Sequence, residues 1–505
     1  MSSISRRRFL SVAASTSAVG TASFQPGFLP LLRAEDVKLD AEHVKFRPEI
    51  EPLVRLIEET PRETIVDKVL AEIKAGTSYR ELLAALFLAG IRNVPPRPAV
   101  GFKFHCVLVV NAAHQASMAA SDNARWLPLL WAIDYFKSSQ SSDANEKEGD
   151  WRMPAVNSSR LPAPDRAIAT LDQAFTDWDE SAADAAAAAA THVATSSQLL
   201  DMYAKFAARD FRSIGHKSIY VSGAFRTLSV IGWEHAEPVM RSLAFAIMNH
   251  TGEQNPSKND LEADRAGRFN WGIVDTISSN WLFGTKDETA SLRVLEGLRQ
   301  LSPTESSKMV VEMINKGVHP RSIYDGILLA SAELVSRQPA IVPLHSITTS
   351  NAMHALFYQV TDDRLRKWLL LQNASFLAHF REAANVREKM TSNKLDAMEA
   401  PSGKPSSVDE IFSKVRKDKP AAATDIFHFL HAGGRPEQIL QKARELVFLK
   451  GTDSHDYKFS SAAIEDSAAI SPKWRMHYLA GCSHLLHGTT EPTTALAQKV
   501  LAFRS

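Results

Sequence analysis

Phe104-His105-Cys106-Val107-Leu108-Val109-Val110-Asn111-Ala112-Ala113-His114 and Leu344-His345-Ser346-Ile347-Thr348-Thr349-Ser350-Asn351-Ala352-Met353-His354 spell one pattern, H-x5-N-A-x-H, at an offset of 240 residues. Apolar residues recur in any helical chain, but two histidines and an asparagine in fixed register do not. The offset is close to half of the 505 residues. Internal repetition is sought first because it sets the architecture.

The likeness runs outward from the motif. Asp122 and Asp362 each follow the second histidine by 8 residues. The segment from His216 to Phe225 resembles that from His455 to Ile464 at an offset of 239. Pro238, Arg241, Ala246 and His250 read P-x2-R-x4-A-x3-H, as do Pro472, Arg475, Ala480 and His484, at an offset of 234. Gly76 and Gly317 close similar helical stretches upstream. The matches keep their order, so the expectation is two diverged copies, at about 65–260 and about 303–490.

Periodicity makes the fold all-α. Leu82, Leu83, Leu86, Phe87 and Ile91 recur at helical spacing, as do Trp368, Leu369, Leu371, Phe376, Leu377 and Phe380. No Asn-Gly or Asp-Gly turn joins alternating strands. Residues 182–190, almost all alanine, favour a helix. The expected architecture is internally duplicated helical hairpins in two pseudo-equivalent halves, 35–300 and 301–505, preceded by a leader at 1–34.

That leader carries a targeting signal. Ser5-Arg6-Arg7-Arg8-Phe9-Leu10 resembles the twin-arginine (Tat) export motif, and a weakly apolar Ala/Ser-rich stretch runs on to about Ala22. The resemblance implies recognition by the Tat export machinery and a periplasmic or otherwise exported protein. Many Tat substrates carry a cofactor loaded before export. Loss of residues 1–34 removes Arg6, Arg7, Arg8 and Arg33 and no acid, taking the formal charge from +1 to −3. A charge near zero argues against a nucleic-acid partner. No run of about 18 apolar residues suggests a transmembrane segment. Cys106 and Cys482 are the only cysteines, and neither CxxC nor CxxCH occurs, so iron–sulfur and c-type haem signals are missing.

The histidines carry the chemistry. Imidazole ligates transition metals and moves protons near neutral pH. Asn111 and His114 share a helix face, as do Asn351 and His354. His105 precedes His114 by nine residues, about half a turn out of phase on an unbroken helix. Either His105 stands before the helix starts or the two rings face different neighbours. His216 and His455 sit where helices should begin, and a helix N-terminus disfavours imidazolium. His250 and His484 fall near helix ends, where a histidine suits the dipole. Asp122 and Asp362 read as helix caps.

The His/Asn-rich helix, together with Gly215, His216, Ile219 and Tyr220, resembles the questin oxidase-like family. Those are α-helical proteins with repeated histidine motifs, and their named activity is oxygenation of an anthraquinone. Tyr220 stands where that family has a histidine, so no catalytic assignment is carried over. Two functions remain open. One is an exported oxidoreductase whose iron, copper or zinc is held by His105, His114, His216, His345, His354 and His455, with Asn111 and Asn351 in support. The other is a non-catalytic helical-repeat protein of the cell envelope, binding a partner or small molecule, whose histidines bridge helices by buried hydrogen bonds.

Overall fold

Reciprocal caps start many of the helices. Ser78 accepts from the Glu81 amide while the Glu81 carboxylate accepts from the Ser78 amide. Thr195 with Gln198, Ser302 with Glu305 and Ser407 with Glu410 repeat the arrangement. Each box satisfies two backbone donors that the first helical turn leaves open. The computed structural model describes residues 43–96, 104–122, 124–144, 151–248 and 254–502. The leader at 1–34, together with Gly101 and His250, lies outside them.

The protein is all-α, with two isolated bridges and no strand among the described residues. Among these residues no helix is long and apolar enough to cross a membrane. Neither cysteine is in a disulfide, and both are buried. Buried apolar side chains from Val44 to Val500 form one continuous cluster.

Four elements surround the centre of interest. The first is the short helix α2 (His105–Leu108) continuing into α3 (Val110–Ala119), just after α1 (Tyr79–Asn93). The hairpin partner of α3 is α4 (Leu127–Ala144). The second is α5 (His216–Ile231). The third is α7 (Ile341–Gln359), which packs between α6 (Pro320–Arg337) and α8 (Asp363–Arg387). The fourth is α10 (Ser454–Ala469), preceded by α9 (Pro436–Lys450). Helix α3 packs on α5, α5 on α7, α7 on α10 and α10 back on α3, so the contacts close a ring.

Helical phase is resolved differently at the two motifs. A break at Val109 separates His105 from the helix bearing His114. In the second motif α7 runs unbroken, so His345 and His354 point to different neighbours. Asp362 caps α8 through the Leu365 amide, as expected. Asp122 is exposed and pairs instead with Arg125.

Candidate functional site

The start of α5 is built by a strained turn. Ile214 and Gly215 both have positive φ, at 44° and 85°. A Cβ on Gly215 would lie 1.9 Å from Thr349 Oγ1, and that hydroxyl donates to the Ile214 carbonyl at 3.2 Å. Only glycine fits so close an approach at this φ. The turn is also anchored by the buried pair of Lys217 with Asp210, 2.9 Å apart. Thr349 lies one helical turn beyond His345, so the same contact that seats Gly215 sets His216 beside His345.

The start of α10 is built by acids. Asp453 caps the helix, accepting from the His455 amide at 2.7 Å. Asp456 reaches back to the Thr452 and Asp453 amides at 3.0 and 3.1 Å.

These elements bring four histidines together. His216 Nε2 is 3.0 Å from His105 Nε2 and 3.0 Å from His345 Nε2. Taken round in order His105, His216, His345, His455, neighbouring ring centroids are 4.9, 4.9, 5.1 and 4.4 Å apart. The His105–His345 diagonal is 6.4 Å. Sides and diagonal fit a near-square more closely than a tetrahedron, in which all separations would be equal. Ligating nitrogens of His105, His345 and His455 lie within 4.8 Å of one another.

The outward nitrogens are tied down. His345 Nδ1 donates to the Ile341 carbonyl at 2.8 Å. His455 Nδ1 meets the Asp453 carboxylate at 2.6 Å. His105 Nδ1 meets Ser454 Oγ at 3.2 Å. A carbonyl or carboxylate can only accept, so Nδ1 of His345 and of His455 carries the hydrogen. Burial holds His105 and His345 well below the ordinary imidazole range, with repulsion from the neighbouring rings and Lys458 adding to it. Burial also lowers His455, against the opposing pull of Asp453. Neutral rings with Nδ1–H present lone pairs at Nε2. His345 Nε2 thus has no hydrogen to offer His216, and His455 Nε2 is buried with no hydrogen-bond partner.

Lys458 stands three residues beyond His455. Its Nζ is buried with no hydrogen-bond partner, and burial depresses its pKa from 10.5 to about 7 despite Asp453. Asp453 is shifted the other way: burial raises it, but the hydrogen bonds from the His455 side chain and amide, together with the charges of His455 and Lys458, outweigh burial and bring it to about 2.

Four of the six histidines singled out in the sequence therefore meet, and two take other partners. His114 Nδ1 lies 3.3 Å from the Tyr79 hydroxyl. His354 packs on Tyr324 at 4.3 Å between ring centroids and lies 3.8 Å from Asp466. Asn351 donates to Glu465 at 2.9 Å and to Asp466 at 3.0 Å. Asn111 backs against Gly223 of α5. Nine residues of unbroken helix put His354 on the wrong face for the centre, and the break at Val109 leaves His114 turned away as well. His484 caps its own helix end through the Gly481 carbonyl at 3.2 Å. Sequence reasoning missed Asp453, Ser454 and Lys458 as site residues. The signal was there in Asp453, two residues before a helix-start histidine, and in Lys458, on the same helical face as His455. A second, more exposed group is Glu262, His379 and Glu382.

No protein family, no curated protein and no solved structure matches this chain.

Proposed function

We propose that His105, His216, His345 and His455 hold one transition-metal ion and that the protein is a metal-dependent oxidoreductase. The observation that carries this reading is the convergence of imidazole nitrogens: those of His105, His345 and His455 lie within 4.8 Å of one another, and His216 Nε2 is 3.0 Å from the first two. Lone pairs that face each other repel; a cation makes the same arrangement favourable. The tethered outward nitrogens support it, because a ligating histidine nearly always donates its other N–H to a carboxylate, carbonyl or similar acceptor.

The spacing bears on the metal. Bonds of about 2.05 Å place ligands at right angles about 2.9 Å apart and tetrahedral ligands about 3.3 Å apart. The 3.0 Å contacts and the near-square rings favour right angles. Four nitrogens so placed suit copper or iron better than structural zinc, which takes closed tetrahedral sites. Such an ion changes oxidation state, and that is the chemistry it would supply.

We also read the two halves as diverged copies. Support comes from the matching contacts His105–His216 and His345–His455. It comes too from the 2.9 Å pair of Arg226 with Glu465, which are 239 residues apart, the offset that relates His216 to His455. On the leader, the proposal is export by the Tat route, tested by fractionation with lysines replacing Arg6 and Arg7.

The test of the metal is elemental analysis of the full-length protein purified from its own host. The expected result is one copper or iron per chain, removed by a chelator and lost in His105→Ala and His345→Ala variants that still fold. Metal-free protein of full stability, indifferent to chelators, overturns the reading and leaves the histidines as helix bridges.

A further inference from the structure

A cleft of about 170 Å³ opens between α3, α9 and α10. Gln115, Arg444, Phe448, Tyr457, Ser460 and Glu465 line it, and the Glu465 carboxylate is paired with Arg226 and Asn351. One of its polar groups is unsatisfied and another is half-buried. The Tyr457 hydroxyl is buried with no partner. Arg444 is half-buried, its pKa lowered by burial with no acid opposing the shift. A guanidinium fork beside apolar and aromatic walls is built for a planar carboxylate. The volume sets the size, since an apolar cavity of about 150 Å³ holds a benzene ring.

The floor of this cleft leads to the histidines. The Tyr457 ring stacks on Trp131 with centroids 4.2 Å apart and planes at 26°. Trp131 stacks on Tyr135 at 5.1 Å and 11°. The Tyr135 hydroxyl donates to Ser454 Oγ at 3.4 Å, and that oxygen is 3.2 Å from His105 Nδ1. Trp131, Tyr135 and Tyr457 are all buried. The principal clefts among the described residues are lined by other residues than the four histidines. A substrate in this cleft reaches an ion at the centre through rings, without touching it.

We infer that the cleft binds a small phenolic carboxylate as electron donor, and that Tyr457, Trp131 and Tyr135 carry its electron to the histidine-held ion. This rests on the metal reading above. In the step, the oxidised ion gains one electron and the donor loses one. The donor's phenolic proton leaves to water at the cleft mouth, and the donor departs as a phenoxyl radical. Trp131 is the station for the transient hole, because an indole is oxidised without giving up a proton. The Tyr457 hydroxyl has no acceptor for its proton, so its ring bridges the donor to Trp131.

Single-turnover stopped-flow tests this, with metal-loaded, full-length protein and 3,4-dihydroxybenzoate as probe. Loss of the oxidised ion's absorption or paramagnetic signal is followed against probe concentration. Trp131→Phe keeps a ring and loses the oxidisable indole. It is expected to slow the limiting rate about tenfold or more, equivalent to about 1.4 kcal/mol of barrier, at unchanged half-saturation. Tyr135→Phe, which severs the link to Ser454 and alters packing least, is expected to slow the same limiting rate. Arg444→Met is expected to raise the half-saturating concentration at unchanged limiting rate. One equivalent of metal in each variant, with an unchanged limiting rate in Trp131→Phe and Tyr135→Phe, overturns the relay alone. An unmoved half-saturation in Arg444→Met overturns the cleft as the donor's seat. A metal-loaded wild type that the probe does not reduce overturns both. Protein that holds no redox metal overturns the relay together with the metal reading, and elemental analysis tells that failure from the others.

Discussion

Replacing Lys458 with methionine should stabilise the metal-free protein. The unfolded chain holds this lysine at its ordinary pKa of 10.5, and the folded protein at about 7. Burial therefore penalises the ammonium, and no carboxylate or carbonyl partners it. Below pH 7 both states are protonated and the whole penalty is present. A shift of that size corresponds to a penalty on the order of 5 kcal/mol, a small part of which is relieved at pH 7 itself. Between about pH 7 and 10.5 only the unfolded chain holds the proton, so stability climbs with pH by about 1.4 kcal/mol per unit. Above that window the penalty is gone. Methionine nearly matches the volume and has no charge to desolvate. Urea unfolding at about pH 7 and about pH 9 reads both effects. Lys458→Met should be the more stable by about 4 kcal/mol at the lower pH, and its lead should shrink by roughly half at the higher one. Equal stability of the two proteins at pH 7, with parallel pH profiles, would refute the buried-ammonium argument.

The remaining predictions concern the histidines and their supports. For the metal-free protein, lowering pH from about 7.5 to 5.5 crosses the unfolded histidine pKa while His345 stays neutral, so stability falls; His345→Gln should recover about 1.4 kcal/mol of that loss by urea titration. Asp453→Asn removes the carboxylate that orients His455, and should weaken metal binding about 10- to 100-fold in competition with a chelator while the fold is kept. Gly215→Ala forces a Cβ into the Thr349 side chain at positive φ. It should lower stability by more than about 1 kcal/mol and disturb metal binding, whereas Gly76→Ala, also at positive φ but with open space around it, should lower stability alone.

The fold class was legible because helical periodicity is local. Leu82, Leu83, Leu86 and Phe87 all bury on α1, as their spacing requires. Of the centre, His105, His216, His345 and His455 were legible through repetition, and the starts of α5 and α10 through their neighbours. Ring direction was not. His114 and His354 carry the same signature as His105 and His345, and only the break at Val109 and the unbroken run of α7 separate inward rings from outward ones. The order of contacts α3–α5–α7–α10 was not legible either, because it depends on packing between segments more than 100 residues apart. Nor could spacing reveal that Trp131 and Tyr135, on α4, stack in line with Tyr457 on α10.

The centre is also unequal between the two copies that we propose. At the offset that pairs His216 with His455, Asp453 corresponds to Ile214, Ser454 to Gly215 and Lys458 to Ile219. The second half thus supplies both charges beside the histidines, and the first supplies none at those positions. His455 is held by a carboxylate at 2.6 Å, whereas the seat of His216 is set by Gly215 against Thr349. The aromatic path also arrives on the charged side, since Tyr135 meets Ser454 between Asp453 and His455. Ser454 Oγ accepts from Tyr135, faces His105 Nδ1 and lies 3.4 Å from Asp453 Oδ1. One hydroxyl therefore touches Tyr135 of the proposed relay, the His105 ring of the proposed metal centre and the acid that holds His455. Ser454→Ala should separate these roles: His455 keeps its Asp453 partner, so the ion should stay bound more firmly than in Asp453→Asn, while its reduction from the cleft should slow as in Tyr135→Phe.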